Sequence, residues 1–225
     1  MRYQRPYGTN DITPTEARQW HGIEDTFMDL CRSFCYGEVR TPIFEDTDLF
    51  IRSVGEGTDI VSKEMYTFED RGGRSLTLRA EGTAPAIRAY LENYLMEQDP
   101  ERVVKLYYMA PIFRYDRPQA GRYRQHTQFG IEAIGTENPA IDAEVIHLAM
   151  TFFQSVGIDD VTLKLNSVGC PTCAPEYVES LREAVSDRLE EMCEDCQRRY
   201  EENPLRMLDC KEEKCHVVLA DAPRM

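Results

Sequence analysis

The chain has 225 residues, 26 of them lysine or arginine and 40 aspartate or glutamate, which sets the formal net charge at −14. With 42% apolar and 29% charged residues it reads as a folded, acidic, water-soluble protein with enough chain for one large core, and fibrous or disordered classes are excluded. No window approaches the roughly 18 consecutive apolar residues of a membrane helix, and Met1 to Pro14 lack the apolar stretch of a secretory signal, so a cytoplasmic protein with no membrane role is expected.

From Thr15 to Cys35 the apolar residues Trp20, Ile23, Phe27, Leu30 and Phe34 recur at spacings of three and four, predicting an amphipathic helix that starts at Thr13-Pro14 and stops at Gly37. Cys31 and Cys35, one turn apart on it, read as core residues. Glu38 to Glu45 then reads as an extended segment that Pro42 confines to an edge. Two short strands follow, Met65 to Phe68 and Ser75 to Arg79, joined by the turn Asp70-Arg-Gly-Gly73. After Glu81-Gly82-Thr83, Ala84-Pro85 opens a helix expected to run to about Met96.

Between Val103 and Gly135, Phe113, Tyr115, Phe129, Ile131 and Ala133 are apolar at odd positions, while Arg114, Asp116, Arg124, His126, Gln128, Gly130 and Glu132 stand at even ones. That is the period of two antiparallel strands with one face on a core, turning at Pro118-Gln-Ala-Gly121. Asn138-Pro139 caps a helix bearing Ile141, Val145, Leu148, Phe152 and Val156 and ended by Gly157, and Val161 to Asn166 alternate as a further strand. His21 and His147 fall on predicted helices and read as packing or surface residues.

Arginine, glutamine and glutamate side by side on a sheet face, with Glu81 and Thr83 at a helix start, can hold a small zwitterion and a phosphate. The same residues can equally form a solvated ladder of cross-strand pairs, and period alone does not choose. A local basic patch, Arg102, Lys105, Arg114, Arg117, Arg122 and Arg124 against Asp116, is set in the acidic chain.

Three segments carry a resemblance: Tyr36-Gly-Glu-Val-Arg-Thr-Pro-Ile-Phe-Glu45, Leu76-Thr-Leu-Arg-Ala-Glu-Gly-Thr-Ala84 and Phe113-Arg-Tyr-Asp-Arg-Pro-Gln-Ala-Gly-Arg-Tyr-Arg-Gln125. They resemble motif 1, the histidine-contacting Glu-Gly-Thr segment and motif 2 of the histidyl-tRNA synthetases, which are class II aminoacyl-tRNA synthetases. The resemblance implies an α/β fold in the broad sense (α+β), a mostly antiparallel class II sheet flanked by helices, with motif 1 building a homodimer interface. It implies that Glu81, Gly82, Thr83, Gln128 and Glu132 bind histidine, that Arg114 grips the ATP α-phosphate as the catalytic residue, and that Asp116 and His126 meet the adenine. Arg117, Gln119 and Arg122 would face the acceptor end of tRNA(His), and ATP with Mg2+ would drive formation of histidyl adenylate. Ala80 stands where the family usually has proline, Asp116 where it usually has glutamate and His126 where phenylalanine is common. On this resemblance, residues 1–169 are the catalytic core with motifs 1 and 2, and residues 170–225 are a Cys-rich, acidic, helical continuation. Motif 3 and the anticodon-binding domain are absent, so a truncated core without substantial adenylation activity of its own is expected. The alternative is a non-catalytic, histidine-binding regulatory paralogue of ATP phosphoribosyltransferase, which has no reason to keep the basic motif 2 loop.

Cys170-Pro-Thr-Cys173 and Cys193-Glu-Asp-Cys196 make a C-x₂-C-x₁₉-C-x₂-C pattern within the range of a structural Zn2+ site. Cys210, Cys215 and His216 are further candidates, and spacing leaves the ligand set open.

Overall fold

Helix α1 (Pro14–Ser33) begins where Thr13 presents both its N–H and its hydroxyl to the Glu16 carboxylate, at 2.9 and 2.7 Å. In the computed structural model, which describes residues 3–55, 58, 60–95, 103–165 and 169–223, this helix belongs to a first compact unit, Met1–Val161; a second runs from Thr162 to Met225. The division falls shortly before the compositional change at Gly169.

The end of α1 differs from expectation. Cys35 takes a left-handed φ of 63°, and the N–H groups of Cys35 and Tyr36 bond back to the carbonyls of Arg32 and Cys31 at 3.0 and 2.8 Å. This closing turn comes ahead of Gly37 and carries Cys35 off the helical repeat. Cys31 is therefore buried, as expected, while Cys35 is exposed.

The extended segment divides between two sheets. Strand β1 (Gly37–Glu38) pairs in parallel with β5 (Val104–Phe113), which pairs antiparallel with β6 (Gln125–Ile134). Strand β2 (Phe44–Asp46) joins β4 (Ser75–Leu78) and β3 (Tyr66–Glu69) in an antiparallel sheet of order β2-β4-β3. Pro42 lies in the crossing between them, where no ladder needs its missing N–H. The β3–β4 hairpin turns as expected, with the Asp70 carboxylate accepting from the N–H groups of Gly72 and Arg74 and Gly73 at φ 77°.

Two elements stand in a stretch the sequence reading leaves blank: helix α2 (Thr47–Val54), capped by Asp46, and a π-helical turn at Ile60–Glu64. Helix α3 (Thr83–Glu92) starts as expected and closes at Asn93 and Tyr94; Met96 lies outside the described residues. Helix α4 (Ala140–Ser155) ends on Gly157, at φ 81°, as expected.

Parity is correct for β6 and incomplete for β5. Phe129, Ile131 and Ala133 pack with Phe27, Cys31, Tyr36, Tyr107 and Leu148 between the sheet and helices α1 and α4, and the Phe27 ring meets Phe129 and Phe152 edge-on at 5.1 and 5.3 Å. The opposite face of β5 is apolar too, because Tyr108, Ala110 and Ile112 are buried against Ala86 of α3. Polar even positions are thus confined to β6 and the loop beyond β5.

The strand expected at Val161 to Asn166 does not form over Val161–Leu165; Asn166 lies outside the described residues. Alternation alone does not make a strand, since its backbone groups need a ladder partner, and Leu163 and Leu165 stand 53% and 80% exposed. The second unit holds α5 (Cys173–Ser186), α6 (Glu194–Glu202) and α7 (Glu213–Leu219), packed on Leu181, Val185, Met192, Met207 and Val218. Among the described residues no helix is long and apolar enough to cross a membrane.

Candidate active site

The register of β5 and β6 places Tyr108 opposite Gly130, two residues from Gln128 and Glu132 on the same face. A Cβ built on Gly130 would lie 2.2 Å from Tyr108 Cζ, and one built on Gly82 2.1 Å from Tyr108 Cε2. The Tyr108 ring therefore fills the slot between β6 and the start of α3, and only glycine on either side admits it. Its hydroxyl reaches Glu132 Oε1 at 3.4 Å, and burial pushes its pKa up to about 12.

This wedge gathers the histidine-binding candidates. Both oxygens of Glu81 accept N–H groups at the start of α3, from Thr83 at 2.5 Å and Ala84 at 2.7 Å, so the carboxylate doubles as a helix cap. Tyr108 hydrogen-bonds Glu132, and Thr83 lies near the same carboxylate. Burial raises the Glu132 carboxyl above its ordinary pKa; the two neighbouring hydroxyls work against the rise, and the Glu81 charge adds to it. Gln128 Oε1 is buried without a hydrogen-bond partner. Neither Glu81 nor Glu132 is ion-paired with a described lysine or arginine, so the floor is rich in acceptors and short of donors. Gly82 enters as the residue that makes room for Tyr108. A groove of about 830 Å³ between α2 and α3 opens onto Glu81 and Thr83 and is otherwise lined by residues such as Leu49, Arg52 and Ile87.

The phosphate and adenine candidates lie at the far end of β5. Arg114 donates Nε–H to the Ala80 carbonyl at 2.7 Å, which anchors the guanidinium beside the Glu81 segment and leaves its terminal nitrogens for an anion. Partial burial and then the Arg114 charge hold His126 below the ordinary histidine pKa, so its ring is neutral at pH 7. Asp116 is engaged by Arg122 at 2.5 Å, an ion pair between a residue expected at adenine and one expected at tRNA. Gln119 and Arg122 exchange backbone hydrogen bonds at 3.1 and 3.0 Å across the loop tip, where Arg117 and Gln119 are exposed.

The expected basic patch is dispersed. Lys105 points to the core face and pairs with Glu144 at 2.6 Å, and Arg124 stacks on Tyr115 at 3.8 Å and Tyr7 at 5.3 Å; Arg102 lies outside the described residues. His21 and His147 are exposed on their helices, and His147 meets Phe34 edge-on.

Sequence reasoning missed Tyr108, and it missed Arg79. Arg79 is 5% exposed, with Nε–H on the Pro111 carbonyl at 2.8 Å and Nη1 on the carbonyls of Thr41 and Pro42 at 3.0 and 3.3 Å. It ties β4, the Pro42 crossing and β5 together beneath Arg114. No local signal separates this arginine from the surface ones.

The cysteines regroup. Cys193, Cys196, Cys210 and Cys215 bring their sulfurs within 4.8 Å of one another, whereas Cys170 and Cys173 pair separately with sulfurs 3.1 Å apart. The N–H groups around that pair, chiefly that of Cys173, draw the Cys170 thiol down to about 7. Joining both C-x₂-C pairs in one ligand set is thus not the arrangement the fold produces.

Comparison with known proteins follows the same lines. A family model described as histidyl-tRNA synthetase matches residues 8–197. A protein named histidine–tRNA ligase from Desulforamulus reducens is 56% identical over 223 residues, covering 99% of this chain and 53% of the relative. The crystal structure of apo histidyl-tRNA synthetase from S. aureus is 46% identical with a TM-score of 0.59, covering 70% of this chain and 40% of that one. A Bacillus halodurans structure titled ATP phosphoribosyltransferase regulatory subunit/histidyl-tRNA synthetase, at 22% identity and a TM-score of 0.65, covers 96% of this chain and 54% of its own and shows the fold alone. The chain spans about half the length of the curated relatives it matches. With the class II elements in order and the family model matched over most of its residues, the chain belongs to the histidyl-tRNA synthetase family.

Proposed function

We propose that the chain activates histidine with ATP and passes it to tRNA(His), acting in the cytoplasm and supplying the side of the pocket that holds the amino acid and the α-phosphate. The observation that carries this reading is the acceptor-rich floor: the unpartnered Gln128 Oε1 and the Glu132 carboxylate share one face of β6 on either side of Gly130, with Glu81 close enough to raise the Glu132 pKa. An α-ammonium group supplies the missing donors and the missing positive charge together. Held there, the histidine carboxylate attacks the α-phosphorus of ATP. A new O–P bond forms, the bond to the β-phosphate oxygen breaks, and pyrophosphate leaves with its electron pair. Arg114 neutralises the charge that develops on the α-phosphoryl oxygens, and the rest of the rate comes from alignment.

The neutral His126 ring offers a face to adenine, and Asp116 meets the adenine amine once Arg122 releases it. Arg117, Gln119 and Arg122 then meet the acceptor end of the tRNA. Among the described residues no cluster of three carboxylates offers a ready cation site, which fits magnesium arriving on the ATP phosphates. Ile43, Phe44 and Phe68, each more than 40% exposed, supply apolar surface for a second copy of the chain. The regulatory-paralogue reading gains nothing from this site, because the phosphate-facing Arg114 and the basic loop are both present.

Calorimetric titration with histidine tests the reading. Gln128→Ala and Glu132→Gln are expected to weaken binding at least tenfold, while Arg114→Ala weakens ATP–magnesium and spares histidine. Histidine binding untouched by both floor substitutions would refute it.

A further inference from the structure

The second unit contains a cluster that the synthetase chemistry does not use. Cys193 caps the N-terminus of α6, Cys196 lies in its first turn, Cys210 follows the 3₁₀ turn Pro204–Met207, and Cys215 lies in the first turn of α7. The start of α6 therefore delivers two sulfurs, and the segments bearing Cys210 and Cys215 one each, to a common point. We propose that these four cysteines bind one Zn2+ ion as a structural site that organises the second unit.

Geometry is the first argument. A tetrahedral tetrathiolate zinc with Zn–S of about 2.3 Å has sulfur–sulfur edges of about 3.8 Å. Cys193 Sγ and Cys210 Sγ are 3.8 Å apart, and all four sulfurs lie within 4.8 Å of one another. The same set is too open for disulfides, whose sulfurs sit about 2.05 Å apart.

The surroundings are the second. A metal-bound thiolate keeps lone pairs that N–H groups stabilise. The N–H of Cys193 points to Cys215 Sγ at 3.3 Å, and that of Glu212 to Cys210 Sγ at 3.5 Å. Cys196, Cys210 and Cys215 are buried, whereas Cys193 is half-buried and opens onto a cleft of about 650 Å³ edged by Glu194, Asp195, Asp209 and Glu212 and by Arg199, Lys211 and Lys214, which gives an ion a path to the sulfurs.

The third argument is need. Three of the eight buried residues in this unit's core are cysteines from the cluster, so the point where these segments meet is not held by aliphatic side chains alone. On binding, each ligating thiol gives its proton to solvent and no redox change occurs.

The test uses the full chain purified under reducing conditions. Elemental analysis is expected to find one zinc per chain. Substitution by Co2+ should give the visible d–d absorption of a tetrahedral site with intense thiolate charge transfer, and chelation should lower the melting temperature. Cys210→Ser should lose the ion, and joint replacement of Cys170 and Cys173 by serine should keep it. If Cys210→Ser fails to fold, the cobalt spectrum and the number of alkylation-protected thiols on the unsubstituted chain still decide. Absence of zinc with four freely alkylated thiols, a stoichiometric iron ion, or loss of zinc in the Cys170/Cys173 variant would each overturn the assignment.

Discussion

Replacing Gly130 by alanine adds one methyl group to the floor of the candidate site. Its carbon would start 2.2 Å from Tyr108 Cζ and 2.3 Å from the Tyr108 hydroxyl oxygen, whereas ordinary contact begins near 3.4 Å. The ring must retreat by more than an ångström. On the α3 side the ring already fills the space that a Gly82 side chain would take, its atoms lying 2.1 to 2.7 Å from an ideal Cβ built there, and Ala86, Ala110 and Ile112 share its buried cluster. Overpacking of this kind costs about 1–3 kcal/mol, and the confinement places Gly130→Ala at the upper end. The assay is urea denaturation of four proteins: the parent, Gly130→Ala, Tyr108→Ala and the double variant. Tyr108→Ala alone should cost about 3–5 kcal/mol through the cavity it leaves. In that background the added methyl enters free space, so the double variant should be more stable than the sum of the single effects by about 2 kcal/mol. Strict additivity would show that the ring is not what excludes a side chain from position 130, and the wedge argument would fail.

Arg79→Ala removes the buried guanidinium that donates to the carbonyls of Pro111, Thr41 and Pro42, in segments that are themselves half-buried or exposed, and a loss of about 2 kcal/mol is expected from denaturant midpoints. A loss below about 1 kcal/mol would show that these bonds are replaced by solvent. The raised Glu132 pKa has two opposite consequences. The folded chain holds this proton more tightly than the unfolded one, so the Glu132 contribution to stability falls as pH rises from about 4.5 through the folded pKa. Ammonium binding requires the ionised form, so histidine binding should strengthen over that window and release a proton. Calorimetry in two buffers of different ionisation enthalpy reads that proton, and Glu132→Gln should abolish the difference. Equal heats in both buffers for the parent would remove Glu132 from the binding step.

What the sequence determines by itself is what lies close along the chain. Thr13 and Glu16 meet because they are one helical turn apart, Asp70 to Gly73 turn because a carboxylate and a glycine suffice, and Gly157 ends α4 by its own φ freedom. The β5–β6 pairing is legible too, since alternation on both sides of Pro118–Gly121 marks two strands of one hairpin, whereas the connection over residues 114–124 leaves their register to packing. The resemblance in three segments carries the family and the candidate residues with it. What only the tertiary structure decides involves partners distant in sequence. Tyr108 becomes the centre of the site because Gly82 and Gly130 are brought to its two faces, although it reads as one more apolar strand residue. Arg79 becomes a buried tie because Thr41, Pro42 and Pro111 surround it. Val161 to Leu165 alternate like a strand, yet no ladder partner is supplied among the described residues. The cysteines show the same limit, because C-x₂-C spacing couples Cys193 to Cys196 but only packing of α6 against the segments bearing Cys210 and Cys215 selects the other two. Local chemistry is written in neighbours, whereas a site is a meeting of strangers, and backbone packing chooses which ones meet.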